Sequence, residues 1–267
     1  MNRIKPHQLN YILNNKTLGS AEIVRMLNSY FYSIRNNKPL ILKTTSLAKE
    51  KLGHFQAINS YLKNLHSCLS ANNKSELIMF LEKFPGKEDE KIETIFNKIY
   101  PELKKMRSVL TLSRSGTVLG ILKLWYKKNK NFKVVVCESR PKLEGRLMAN
   151  ELAAEGIQIE LITDAMMNLY VQNVDAVIIG ADTVLSSGNI VNKVGSKALA
   201  LLCKEYKRPF YVVTAQSKYS RKQTYRSKSE NPDEVWDKKV KNLSIKNIYF
   251  EVIEKKFITK IFRNKKR

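Results

Sequence analysis

The second half of the chain alternates short apolar runs with amphipathic stretches, and this pattern limits the fold more than any other feature. "RSVLTLS", "FKVVVC", "IQIELIT", "VDAVIIG" and "PFYVVTA" read as strands. Between them "GTVLGILKLWYKK", "KLEGRLMANELAAEG" and "NKVGSKALALLCKEYK" read as helices, with a shorter one in "AMMNLYVQN". Strands separated by helices at this spacing call for a parallel sheet with right-handed crossovers. The uninterrupted apolar character suits strands covered on both faces. Gly156 closes one of these helices at the position after the cap, where the left-handed region is needed.

Residues 1–105 have a different texture. In "AEIVRMLNSYFYSIR", Ile23, Met26, Leu27, Tyr30 and Phe31 recur at helical spacing. "SLAKEKLGHFQAINSYLKNLHSCLSA" and "KSELIMFLEKF" follow the same rule. "PGKEDEKIETIFNKIYPELKK" is expected to open with a turn and then start another helix. The fold expected is α/β: an N-terminal helical domain over 1–105, then a Rossmann-like parallel-sheet domain over 106–267.

In a parallel α/β sheet the loops that follow the strands emerge on one edge, and ligands bind there. Those loops carry Ser113-Arg114-Ser115-Gly116, Glu138-Ser139-Arg140-Pro141, Asp164, Ala181-Asp182-Thr183 with a long loop to Asn192-Lys193, and Ala215-Gln216-Ser217. Arg114, Arg140, Arg146 and Lys193 are placed to converge on one or two phosphates, helped by helix N-termini. The same residues also suit a structural ion pair of Arg140 with Glu138 or Glu144. No G-x-G-x-x-G and no Walker motif follows a strand, which argues against a dinucleotide site. His7, His54 and His66 lie in the helical half without metal-ligand spacing, so neither a metal nor another cofactor is expected.

The formal net charge is +24. A chain this basic attracts polyanions, RNA foremost, and the densest runs are "SRKQTYRSK" and "RNKKR". Biased codon usage gives the same lysine excess with no partner at all. Cys68, Cys137 and Cys203 show no CxxC spacing and read as reduced core thiols of a cytoplasmic protein. No apolar run is long enough to span a membrane, and the N-terminal segment lacks a signal peptide's apolar stretch.

Three ordered segments carry a family resemblance: "ESRPKLEGRLMANELAAEGIQIELITD", "VDAVIIGADTVLSSGNIVNKVGSKALALLCKEYKRPFYVVTA" and "ENPDEVW". They resemble a superfamily with two branches. One holds the α, β and δ regulatory subunits of translation initiation factor 2B. The other holds aldose–ketose isomerases acting on methylthioribose 1-phosphate and ribose 1,5-bisphosphate. The resemblance implies that Asp182 matches the isomerases' acid–base aspartate. It implies that Arg140, Arg146, Asn192 and Lys193 match substrate-contacting positions. "LGSAEI", with Gly19 and Ser20, resembles a phosphate-contacting segment. The isomerases' proton-carrying cysteine falls on Ser113, and a serine hydroxyl is a far weaker base than a thiol. No histidine is evident in the sheet half to activate it. The resemblance therefore implies an initiation-factor-like binding or regulatory protein with a pocket for a phosphorylated sugar or nucleotide. The alternative is an isomerase that moves its proton through Asp182. It also implies a homodimer through the C-terminal domain, for which the alternating tail "NIYFEVIEKKFITKIF" supplies apolar surface.

Overall fold

A computed structural model of the chain describes residues 6–15, 18–70 and 73–264. The side chain of His7 and the terminal Lys265, Lys266 and Arg267 lie outside the described residues.

The described part of residues 1–105 holds helices and no strand: α1 (Pro6–Asn14), α2 (Ser20–Ser33), α3 (Lys38–Leu52), α4 (Gln56–Ser70) and α5 (Lys74–Leu103). Ile23, Leu27 and Phe31 of α2 are wholly buried against Ile58 and Leu65 of α4 and Leu81 of α5. Two expectations are corrected here. The stretch over 46–71 is broken after Leu52, where Gly53, His54 and Phe55 form a turn between α3 and α4. The stretch from 74 onward is not broken at Pro85, because α5 runs through it for 30 residues. Proline removes the hydrogen bond to the carbonyl four residues earlier. That carbonyl belongs to Leu81, and it accepts instead from Asn28 Nδ2 at 2.9 Å. Asn28 is itself fixed by Tyr61 Oη, which donates to its Oδ1 at 3.0 Å. Helix α5 also serves two cores. Leu77, Leu81 and Phe84 pack in the helical bundle, while Ile95, Phe96, Ile99 and Leu103 pack under the sheet.

The alternating half follows: β1 (Ser108–Leu112), α6 (Gly116–Lys128), β2 (Lys133–Cys137), α7 (Glu144–Ala154), β3 (Gln158–Ile162), α8 (Met167–Val171) and β4 (Ala176–Ile179). Then come β5 (Thr183–Val184), β6 (Ile190–Lys193), α9 (Ser196–Glu205), β7 (Phe210–Thr214), β8 (Phe250–Ile253) and β9 (Lys260–Arg263). The main sheet has six strands in the order β3-β2-β1-β4-β7-β9, and every pairing in it is parallel. The strand order reverses about β1, which is where a parallel sheet opens a crevice for ligands. Helix α7 ends as the sequence expects, with Gly156 at φ +87°. Gly145 in its first turn has no room for a side chain, since a Cβ would stand 1.8 Å from the Cys137 carbonyl oxygen. That contact lets α7 start directly against the end of β2.

Two further expectations change. Asn192 and Lys193 do not end a long loop. They end β6, the centre of a second, antiparallel sheet in the order β5-β6-β8. The alternating tail is consumed within the chain. Its first part is β8, paired with β6, and its last part is β9, paired with β7. Ile253 and Phe262 are buried there, while Ile248 of the same tail stays exposed.

Candidate anion-binding site

The loops after β1 and β4, the end of β6 and the segment after β7 meet the helical half around a cavity of about 430 Å³. Gly19, Ser20, Ser113, Asp182, Asn192 and Lys193 all line it. Arg140 and Arg146 do not. Arg140 donates from Nη2 to the Val235 carbonyl at 3.0 Å, and Arg146 pairs with Glu138 at 2.7 Å. Arg114 lines the cavity, but its guanidinium is taken by Glu22 of α2 and by Glu151 of α7, the latter at 2.8 Å. Lys193 donates to Glu144 at 2.8 Å. Of the four cations expected to converge, Arg114 and Lys193 line the cavity within ion pairs, while Arg146 pairs with Glu138 and Arg140 bonds a backbone carbonyl outside it. Glu138 goes to Arg146 and Glu144 to Lys193, so neither is the partner of Arg140.

Two residues that the sequence reading left out join the site. Lys218 closes a short 3-10 turn after β7, one residue beyond the loop read as Ala215-Gln216-Ser217. It is 6% exposed, and no hydrogen-bond acceptor meets its ammonium among the described residues. Burial holds it below the ordinary lysine range, while Asp182 and then Glu88 pull it back. It also lines a second cleft of about 720 Å³ between α2, α5 and α6, so it stands in the wall between two spaces. His54 reaches the cavity from the turn between α3 and α4. Burial and then Lys228 push its pKa down, partly offset by Glu230 and Asp182. The sheet half indeed supplies no histidine here; His54 comes to the same cavity as Ser113 from the helical half, 59 residues earlier in the chain.

Asp182 follows β4 and accepts charge from several sides. Burial raises its carboxyl above the ordinary range, and Lys218, His54, Ser20 and Lys193 act in the opposite sense. The Ser20 hydroxyl is wholly buried and makes no hydrogen bond of good geometry, yet lies close enough to Asp182 to favour the carboxylate. A carboxyl tuned this way can exchange a proton nearer neutral pH than a free one.

The N-terminus of α6 adds a fixed positive end. Ser115 caps it by accepting from Val118 N–H at 3.4 Å. The N–H groups of Gly116 and Thr117, in the first turn, have no intrahelical partner, and such groups attract anions. Gly116 and Ser115 both line the cavity. Lys218, the α6 N-terminus and the raised carboxyl of Asp182 thus border one cavity. Among the described residues no group of His, Cys, Asp or Glu side chains could hold a metal ion, and no helix is long and apolar enough to cross a membrane. The three cysteines are free; Cys137 and Cys203 are buried and Cys68 is half-buried.

Residues 9–265 match the initiation factor 2 subunit family. A putative translation initiation factor eIF-2B subunit 2-like protein of Pyrococcus furiosus is 41% identical over 116 residues, 43% of this chain and 42% of that one. A ribose 1,5-bisphosphate isomerase of Methanocaldococcus jannaschii is 29% identical over 196 residues, 71% of this chain and 64% of that one. These matches leave more than a third of each relative unspanned. The fold is that of the 5-methylthioribose 1-phosphate isomerase of Pyrococcus horikoshii, with a TM-score of 0.79 at 21% identity over 97% of this chain and 82% of that one.

Proposed function

Because the chain belongs to the initiation factor 2 subunit family, we propose that it is a binding or regulatory protein of the initiation factor 2B kind, and that its cavity holds a phosphorylated sugar or nucleotide. The observation that carries this reading is Lys218, a buried ammonium without a hydrogen-bonding partner among the described residues, beside Asp182. A buried cation in that state is stabilised by an arriving anion. A thermal-shift series with ribose 1,5-bisphosphate, methylthioribose 1-phosphate and a nucleoside monophosphate tests it. At least one should raise the melting temperature, and Lys218→Met should remove the shift. Arg140→Ala tests the assignment made from the resemblance: a lost shift would place Arg140 on the ligand despite its bond to Val235. No shift with any compound overturns the reading.

The second reading, an aldose–ketose isomerase, is favoured by one observation. Asp182 has a raised carboxyl in the same cavity as His54 and Lys218, so proton-carrying groups are present even though residue 113 is serine. The partner reading is a homodimer through the sheet half, in a cytoplasmic setting. Leu147 on α7, Leu161 on the edge strand β3, and Val235 and Trp236 beyond them are exposed apolar side chains that support it. Light scattering at micromolar concentration decides it, and a monomer removes the idea. Non-specific RNA contact through the basic surface is a separate part of the proposal.

A further inference from the structure

We infer that Ser139 and Asp164 are positioning residues for the cavity: they hold Ser113, and the loop from β1 to α6 behind it, in the conformation that faces the ligand. The inference rests on reading the cavity as a ligand site, although the clamp itself is testable without any ligand.

Ser113 and Ser139 both stand in the left-handed region, at φ 64° and 67°. Side-chain-bearing residues are disfavoured there and stay only when their surroundings impose it. The imposing contacts run across three neighbouring loops, those after β3, β2 and β1, which are adjacent in the sheet. Asp164, just after β3, accepts from two successive N–H groups of the next loop: Ser139 N–H to Oδ1 at 2.9 Å and Arg140 N–H to Oδ2 at 2.7 Å. Two bonds from one carboxylate fix the turn at Ser139. The Ser139 hydroxyl, 1% exposed, donates its one hydrogen to the Cys137 carbonyl at 3.0 Å. Its lone pairs are thereby left for the third loop, and Ser113 N–H donates to that oxygen at 2.7 Å. Without it the Ser113 N–H would lose its acceptor and the disfavoured φ its restraint.

Neither Ser139 nor Asp164 lines the cavity, whereas Ser113 through Gly116 do. Any effect of the two on a ligand must pass through that loop. What they set is the aim of the Ser113 hydroxyl and of the α6 N-terminus behind it.

The test is a double-mutant cycle between Ser139→Ala and Ser113→Gly, read two ways. Amide hydrogen exchange at residue 113 should speed up in Ser139→Ala while exchange in β4 stays as in the wild type. Affinity for ribose 1,5-bisphosphate, by calorimetry, should fall about tenfold in Ser139→Ala, the ordinary scale for one hydrogen bond. Glycine takes the left-handed region unaided. In the Ser113→Gly background the N–H bond to Ser139 persists but no longer has to offset the strain of a positive φ, so Ser139→Ala should cost clearly less affinity there than in the wild type. Asp164→Asn supplies the same readouts if Ser139→Ala does not fold. Unchanged exchange at residue 113 overturns the inference, as does an undiminished loss in the glycine background. If the wild type binds none of the phosphorylated compounds, the proposed function fails instead, and the exchange measurement alone decides the clamp.

Discussion

Lys193 donates to Glu144 across 2.8 Å, and both side chains are more than nine-tenths buried. The pair joins the end of β6 to the first turn of α7, so it ties the small antiparallel sheet to the main one. Lys193 also lies over the Tyr249 ring, 4.8 Å from its centroid. The second carboxylate oxygen of Glu144 is buried without a partner, and burial raises its pKa despite the lysine. A pair like this adds little to stability when intact, but breaking it strands a charge.

Glu144→Gln is accordingly expected to lower unfolding stability by about 3–5 kcal/mol, the scale for removing one partner of a buried pair. The double variant Glu144→Leu with Lys193→Met should recover most of that loss. Urea denaturation of the three proteins checks both statements. A loss in Glu144→Gln no larger than a typical surface substitution would mean that water reaches the lysine.

The resemblance pointed to Lys193 as a contact, and the structure shows why its role was only half legible. Its identity is in the "NKVG" run, but its partner Glu144 lies 49 residues earlier, and no local pattern links them. The alternation of apolar runs and helices was enough to read the parallel sheet, because period and length are local properties. Pro85 misled for the opposite reason: its missing hydrogen bond is replaced by Asn28, which lies 53 residues before Leu81. Lys218 and His54 were passed over because a lysine in a basic chain and a histidine in a helical half carry no mark of burial or direction. Asp182 was collected as part of the loop after a buried strand, and its acid–base role came only from the resemblance. The tail showed its alternation plainly, but which edge would receive each strand was decided by β6 and β7.

Folding should respond to pH through Asp182. Its folded pKa is raised, so the folded chain keeps this proton to higher pH than the unfolded chain, whose carboxyl titrates near ~3.9. Across the window from that value up to the raised one, the folded state binds more protons, and stability falls as pH rises. Relative to Asp182→Asn, the wild type should therefore lose stability from pH ~4 up to its raised folded pKa and then run parallel to it. Lys218, shifted downward, has the other sign: its contribution rises with pH from its folded value toward the unfolded one near ~10.4. Denaturation curves of the wild type, Asp182→Asn and Lys218→Met across pH separate the two. A constant gap between wild type and Asp182→Asn would contradict the burial of the carboxyl.

Residue 113 decides between the two readings of the cavity. Serine there leaves the wild type without the thiol that the isomerase resemblance calls for, and turnover of ribose 1,5-bisphosphate or methylthioribose 1-phosphate should be absent or slow. Ser113→Cys should raise it, by about 10²–10⁴-fold if the thiol becomes an effective acid–base group, and Asp182→Asn in that background should remove the gain. Fast turnover by the wild type that is abolished by Asp182→Asn would instead make the isomerase the first reading.

The basic surface carries its own expectation. Between 221 and 246 the chain has almost no regular structure, and Arg221, Lys222, Arg226, Lys238, Lys239 and Lys241 are exposed there with no ion pair among the described residues. Cations without carboxylate partners hold counterions, and a polyanion that displaces them gains entropy. Structured RNA should bind with an affinity that falls steeply with salt and shows little sequence preference, because no row of aromatic side chains offers a stacking platform in this segment. Each phosphate contact contributes about 0.7–0.9 to the slope of log affinity against log salt. Replacing Lys238, Lys239 and Lys241 by alanine should then flatten the slope by about 2–3 if all three touch phosphate. Removing residues 265–267 probes the terminal run independently. Fluorescence anisotropy at two ionic strengths gives the answer. No binding at low salt would make the charge of +24 a matter of composition, and binding that survives high salt with a preferred sequence would require base contacts that the exposed lysines do not provide.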